Sequence, residues 1–497
     1  MMGDTVSKNK NKGQEGEGKD AFALEMRRQE GLVARRSVRR DVVRETLAVM
    51  EERVADRQRD VLAIQGGNGN KKELLQDLVG DEMERVANGS ISVPRYDPAL
   101  KTGQVIYLYV GTHWVRLDNE RFFQLVRKCC QRMGLPKSKV NSTAFMAEVF
   151  HGVAYRFSGC WDRVPPPEGV ALLNLQNGTL EVDREGGRVL REHRREDYLV
   201  NCLPFSYDEG AESALWQEFL AKVLPDEGCQ RVLQEFVANA LVKGAVKLDV
   251  MLVLKGSGAN GKSVLLEVMG ALAGKENVSS ISLNDLTSDV VMRHGFEHKL
   301  LNTSSESESK WVTSVLKQLT SHEPVMVKEL YHNPYEMEDY GYLMAAVNEM
   351  PRAEATDAFY RRLRILPFEA TFSPEEADPE MATKLKGELA GILNWFLEGL
   401  PPLMKRKHLP SCKVCDGEMQ NYRGATDIVY LFVQECCEKS DTWVTGKMLH
   451  DRFKYFCEIN SLSYTLTPQR FYEKLKNLRV KRSIKNHQTV FQLKVLS

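Results

Sequence analysis

An α/β architecture with a largely parallel sheet is what this 497-residue sequence predicts, and three observations carry it. An apolar strand candidate, Val250–Leu254, runs into a glycine-rich turn and then into the apolar helical stretch Val264–Leu272. Strand-like and helix-like segments then alternate as far as Phe368, the pattern of parallel strands joined by helical crossovers. Before this core a mixed α+β domain is expected over residues 92–211, and after it a small helical and β module over residues 427–497.

The elements can be taken in chain order. Residues 1–20 hold almost no large apolar side chain and are expected to be disordered. Residues 21 to about 62 read as a charged helix, with Val42, Val43, Leu47 and Val54 at helical spacing. QGGNGNKK at 65–72 reads as a linker or turn that completes an N-terminal segment of 1–91. VIYLYVGTHWVRL is strand-like on both sides of a turn at Gly111–Thr112, and ALLNLQNGTLEVD suggests a hairpin turning at Asn177–Gly178. Residues 212–245 are expected to be helical. Leu215, Phe219, Leu220 and Val223, then Val232, Leu233, Phe236 and Val237, supply the apolar faces. They open a core domain of 212–400, closed by a helix over 384–400. Residues 401–426 read as a connector.

Composition narrows the classes. Hydrophobic residues make up 42% and charged residues 27% of the chain, as in ordinary globular proteins. No apolar run approaches the roughly 20 residues of a membrane span, and the N-terminus lacks the apolar stretch of a signal peptide. An intracellular protein without a membrane partner is expected. Ten cysteines fall as scattered singles and two adjacent pairs. Cys412 and Cys415 alone form C-x-x-C, with no second pair at zinc spacing, so buried reduced thiols are the expectation. Net charge is zero, yet Trp443–Ser497 carries eleven Lys and Arg against three Asp and Glu. Such a basic module is a candidate nucleic-acid contact.

The glycine-rich turn carries the most chemistry. Gly256, Ser257, Gly258, Ala259, Asn260, Gly261, Lys262 and Ser263 match G-x-x-x-x-G-K-[ST] between a strand and a helix. Glycines let the backbone wrap phosphates at a helix N-terminus. Lys262 is placed to reach the β- and γ-phosphates of ATP, and the Ser263 hydroxyl to ligate Mg2+. About forty residues on, a short apolar run ends in Glu306 and Glu308. Glu306 is expected to polarise the attacking water and Glu308 to help hold the metal, with the exchanged assignment left open.

Two later segments extend this set. Leu343-Met-Ala-Ala-Val-Asn348-Glu-Met-Pro351 is an apolar strand ending in Asn, followed by Tyr360-Arg361-Arg362-Leu-Arg-Ile-Leu-Pro367-Phe368. The four blocks, in this order, resemble superfamily 3 helicases of the phage, plasmid and poxvirus primase-helicase group. The resemblance covers roughly residues 95–497. It implies an AAA+-like P-loop core with Asn348 as the sensor that orients water and with Arg361 or Arg362 as an arginine finger acting across a subunit boundary. It also implies a homo-oligomeric ring, expected to be a hexamer, in a phage- or plasmid-bearing bacterial cytoplasm. Val327–Tyr335 falls where the group places its DNA-touching hairpin, with Lys328 and His332 as contacts to a single strand in the channel. Residues 427–497 look like its C-terminal winged-helix module. There Arg470, Lys474, Lys481 and Arg482 are expected to meet duplex or forked DNA, with Phe471, Leu475 and Leu478 forming the buried face. No acidic pair on a strand precedes residue 92, so primase activity is not expected in this chain and a separate primase becomes a candidate partner. Two other readings remain: a DNA-binding initiator switched by ATP without processive unwinding, and a protein-remodelling ATPase.

Overall fold

The computed structural model describes residues 42–95, 105–159, 167–306, 311–330, 333–351, 356–460, 462, 466–485 and 487–496. The tail expected over 1–20 and the helix expected from 21 to 41 lie outside them. Contacts divide the chain into two units, residues 1–165 with 193–200, and residues 166–192 with 201–497.

In the first unit a helix over 42–52 is followed by helices Gln58–Gly66 and Lys71–Ala87. The helix expected to run on to residue 62 therefore breaks after Glu52. Tertiary polar contacts override propensity here. The Glu82 carboxylate, 1% exposed, accepts from the Ala55 N–H at 2.7 Å, and Arg85 donates to the Arg53 carbonyl at 2.6 Å. Burial pushes the Glu82 pKa up, but hydrogen bonds from Arg85 and Ala55, with the Arg85 and Arg57 charges, bring it below the ordinary carboxylate value. Val43 and Leu47 are buried and Val54 packs at the core's margin, while Val42 faces solvent. Strands Ile91–Arg95, Val105–Tyr109 and Trp114–Leu117 form an antiparallel sheet, with the expected turn between the last two.

The second unit begins with an antiparallel sheet of Val170–Leu175, Gly178–Asp183 and Arg188–Arg191. Its first turn is Gln176–Asn177, one residue earlier than expected, because Gly178 already pairs with Leu175. The Asn177 side chain fixes this turn by bonding both the N–H and the carbonyl of Tyr207.

Five strands then build the central sheet: β1 Met251–Lys255, β2 Val278–Ser279, β3 Leu301–Glu306, β4 Tyr342–Val347 and β5 Leu363–Pro367. Their order is β5-β1-β4-β3-β2 and every pairing is parallel. β1 and β4 are largely apolar because helices cover both faces, whereas β3 buries the polar Asn302, Thr303 and Ser304. Leu252, Leu254, Met344, Ala346 and Leu366 pack toward helix α1, Lys262–Ala273, and toward Phe236 and Phe396. The alternate residues Val253, Leu343, Ala345 and Ile365 pack toward Phe296, Leu316 and Phe359. The helical faces expected around 215–237 are buried as a set, apart from half-buried Leu215.

Register decides what this sheet presents. Val347 of β4 pairs with both Lys255 of β1 and Glu306 of β3, and Pro367 of β5 also pairs with Lys255. Four strands thus end level, and the segments that follow them leave from one edge. That carboxyl edge is where open parallel sheets bind ligands.

The stretch expected as a connector is largely helical, with Leu400–Arg406 and Lys413–Thr426. The C-terminal module alternates helices Ile428–Cys436, Gly446–Ile459 and Pro468–Asn477 with an antiparallel sheet of Cys437–Thr445, Gln488–Val495 and Arg482–Lys485. Phe432, Phe453, Phe471 and Phe491 fill its core. Phe471 and Leu475 are buried as the periodicity predicts, and Leu478 sits half-buried at the margin. Among the described residues no helix is long and apolar enough to cross a membrane.

Gly341, at the start of β4, tests this register. A Cβ there would stand 2.1 Å from the Leu300 carbonyl oxygen, which accepts the Tyr342 N–H. Gly341→Ala is expected to cost about 2 kcal/mol, the scale of overpacking against backbone, read as a fall of several degrees in Tm. An unchanged Tm contradicts the close approach of β3 and β4.

Candidate functional site

The Gly256–Ser263 loop leaves β1 at the level carboxyl edge and ends in α1. Backbone bonds fix both of its sides: Gly256 N–H donates to the Val347 carbonyl at 3.1 Å, and Phe372 N–H donates to the Ala259 carbonyl at 3.0 Å. Two glycines are sterically required. A Cβ on Gly256 would lie 2.2 Å from the Asn260 amide and 2.3 Å from the Phe368 oxygen. Gly261 has φ +87°, and a Cβ there would lie 2.6 Å from Val223. Gly258 has φ +113°. Ala259, with φ +46°, takes a left-handed conformation usually left to glycine.

Asn260 turns inward. It is 2% exposed, donates to the Phe368 carbonyl at 3.1 Å and accepts from Lys262 at 2.9 Å. Its side chain therefore braces the loop instead of presenting itself at the surface, a role the sequence pattern did not distinguish. Phe368 is the other residue not assigned to the site from sequence; its carbonyl anchors Asn260 and its N–H donates to the Lys255 carbonyl at 2.7 Å.

Lys262 is 6% exposed, and its ammonium donates to the Gly256 carbonyl at 2.6 Å and to Asn260. No carboxylate pairs with it among the described residues. Burial alone pushes its pKa down. A buried cation held only by neutral oxygens is costly unless an anion joins it. The adjoining helix end is matched to that need, because α1 has Gly261 as its N-cap and no side chain caps its first turn. Free N–H groups and the positive end of the helix dipole favour an anion at this point. Ser263 is exposed in that same turn.

Asn348 follows β4 directly and is exposed at the same edge. Glu306 ends β3 level with Val347, so its backbone lies across one strand from the loop. The Glu306 side chain and all of Glu308 lie outside the described residues, and the choice between them stays as the sequence left it.

The two arginines stand at the opposite edge. Arg362 precedes β5, and its carbonyl accepts the N–H of Met251, the first residue of β1. Five residues of strand, about 16 Å at the usual rise, separate them from their own glycine-rich loop. Arg362 is tied within the chain, donating to the Ser321 hydroxyl at 2.8 and 3.0 Å and to the Ala358 carbonyl at 2.5 Å. Arg361 is exposed and borders a cleft of about 1200 Å³ that Arg364, Arg423, Tyr430, Arg479 and Lys481 also line. This cleft opens on the arginine edge.

Val325–Val327 pairs with Tyr335–Met337 in an antiparallel hairpin. Lys328 starts its loop, half-buried, and Leu330 nearby is 61% exposed. His332 lies outside the described residues. In the C-terminal module Arg470, Lys481 and Arg482 are exposed. Lys474 pairs with Asp427 at 3.0 Å, so its charge is engaged inside the module. Lys485, on the final hairpin, lies 4.4 Å over the Trp443 ring.

Comparison with known proteins finds two family matches and several viral relatives. Residues 95–225 match the family described as D5 N terminal like, and residues 254–362 match a family of unknown function (DUF5906). The chain is 24% identical over 359 residues to "Putative helicase 121R" of Invertebrate iridescent virus 3, covering 62% of this chain and 37% of that protein. It is 26% identical to "Putative helicase 022R" of Frog virus 3, covering 49% and 28% respectively. "Putative primase C962R" of African swine fever virus is 23% identical, covering 53% and 30%. The chain thus spans about a third of the length of these relatives. Among solved structures, the apo structure of the NrS-1 C-terminal region superposes with a TM-score of 0.44 at 11% identity, covering 83% of this chain and 98% of that one. The D5-like region and the viral relatives together support a likeness to the phage and viral primase-helicase family.

The two arginines differ in a way that thermal unfolding can read. Arg362→Ala loses three hydrogen bonds and leaves a buried Ser321 hydroxyl without its donor. It is expected to lower stability by about 1–3 kcal/mol. Arg361→Ala, at an exposed position, is expected to leave Tm unchanged. Equal losses for the two contradict this division.

Proposed function

We propose that this chain is a subunit of an ATP-driven DNA helicase acting in replication. The observation that carries the reading is the Lys262 ammonium, buried at an uncapped helix N-terminus on the carboxyl edge of a parallel sheet, with no acidic partner among the described residues. A triphosphate supplies the anion that this site needs. In this reading the core is an AAA+-like P-loop fold, with the Gly256–Gly261 backbone around the phosphates and Lys262 on the β- and γ-phosphates. The donor set fits Mg2+: the Ser263 hydroxyl is exposed beside the helix end, and a carboxylate strand, β3, ends at the same level. Bound there, Mg2+ would neutralise charge on the phosphates. Glu306 or Glu308 removes a proton from the attacking water, and Asn348 orients that water.

The sheet geometry supports action between subunits. Arg361 stands about one strand length, ~16 Å, from its own loop, beyond the reach of its side chain. In a head-to-tail ring the exposed Arg361 edge of one subunit meets the loop edge of the next, which favours Arg361 over Arg362 as the finger. A hexamer is the ring we infer. The Val325–Met337 hairpin then presents Lys328 and the apolar Leu330 to a strand in the channel, where charge grips phosphate and apolar surface meets bases. The C-terminal module acts as a winged helix, bringing Arg470, Lys481 and Arg482 to duplex or fork. The names of the viral relatives support DNA as the partner.

Strand displacement on forks with a single 3′ or 5′ tail separates this motor from an ATP switch. The intact chain is expected to unwind one fork polarity in an ATP-dependent manner. Lys328→Ala is expected to keep most basal ATP hydrolysis and lose unwinding. No unwinding of either fork, with ATP hydrolysis intact, favours the switched DNA-binding initiator; normal unwinding by Lys328→Ala removes the hairpin from the mechanism.

A further inference from the structure

Outside the nucleotide site, three cysteines remote in sequence converge. Cys229 Sγ lies 3.5 Å from Cys412 Sγ and 3.7 Å from Cys415 Sγ, and the three sulfurs all lie within 4.8 Å of one another. Each is buried, at 0, 4 and 3% exposure. A tetrahedral zinc with bonds of about 2.3 Å to sulfur sets sulfur–sulfur separations of about 3.8 Å, and the observed spacing is close to that. A disulfide needs about 2.05 Å and would leave one of the three thiols over.

Two helix starts build the cluster in the same way. Asp226 caps Glu227–Leu241 by accepting the Cys229 N–H at 2.8 Å, and Cys412 caps Lys413–Thr426 by accepting the Cys415 N–H at 3.4 Å. Each helix thus offers a capping side chain and, three residues on, a cysteine, at a terminus that favours thiolate. Asp226 Oδ1 also lies 3.6 Å from Cys412 Sγ, near the ~3.5 Å edge between an oxygen and a sulfur ligand on one zinc. Gly228 lets the two turns close. A Cβ there would stand 3.0 Å from the Asp226 carboxylate and 3.2 Å from Cys412 Sγ.

We propose that Cys229, Cys412 and Cys415 bind one zinc ion as thiolates, with the Asp226 carboxylate or a water completing the tetrahedron. The three thiol protons pass to solvent on binding. The ion is structural: it fastens helix Lys413–Thr426 to helix Glu227–Leu241. The first of these helices also holds Lys255 through Glu418 at 2.6 Å, Pro351 through the Tyr422 hydroxyl at 2.7 Å, and Asp357 through Arg423. The clamp therefore fixes the helix that backs the arginine edge and leads into the C-terminal module.

Elemental analysis of the full chain, produced in zinc-containing medium and purified without chelator, tests this. About one zinc per chain is expected, falling to background in Cys229→Ser and in Cys415→Ser. Zinc removed and replaced by cobalt(II) is expected to give the intense visible bands of a tetrahedral thiolate site. If the serine variants do not fold, the wild type decides alone: a chelator lowers its Tm and added zinc restores it. A metal-free wild type with no cobalt bands overturns the proposal, as does a Cys412–Cys415 disulfide found by mass spectrometry in zinc-free protein.

Discussion

The level ending of four parallel strands is the constraint on which the rest of this structure depends. Because Lys255, Glu306, Val347 and Pro367 stand in register, whatever follows each strand is delivered to one edge. The glycine-rich loop, Asn348 and the end of β3 come together for that reason, although 85 positions separate Ser263 from Asn348. A slip of one residue in the β3–β4 pairing would turn the alternate residues toward the wrong face and bury Asn348 or expose Val347. Apolar side chains on both faces of β1 and β4 resist that slip.

The same geometry divides labour between the edges. One edge gathers backbone N–H groups, a buried ammonium and an exposed amide, the means of holding an anion. The other displays Arg361 beside a cleft lined by both basic and acidic side chains. A single chain cannot bring these together across about 16 Å of sheet, so the finger role proposed for Arg361 requires a neighbouring subunit. Arg362, bound to Ser321 and Ala358, serves to shape the arginine edge.

Much of this was legible in the sequence where pattern and chemistry are local. The loop between strand and helix, the apolar faces at 219–237 and the buried Phe471 and Leu475 all follow from periods and residue types within a dozen positions. What escaped is set by distant partners. The break after Glu52 depends on Glu82 and Arg85, thirty residues on. The inward turn of Asn260 depends on the Phe368 carbonyl, and the pairing of Lys474 on Asp427. A C-x-x-C at 412–415 looked incomplete because its third sulfur, Cys229, stands 183 positions earlier. No spacing rule spans such a gap; only the fold closes it.

The Lys262 ammonium has no acidic partner among the described residues, and in the proposed mechanism that place is taken by the phosphate of a nucleotide. Titration calorimetry with a non-hydrolysable Mg·ATP analogue tests it most directly, comparing the wild-type chain with Lys262→Met, which keeps the length and apolar stem of the side chain. A charge-assisted bond is worth about 1.5–3 kcal/mol, so affinity is expected to fall roughly tenfold to a hundredfold with Tm unchanged or raised, since the substitution also removes an uncompensated buried charge. Equal affinity in the two proteins would contradict the account, and would move the nucleotide, if any, away from this loop.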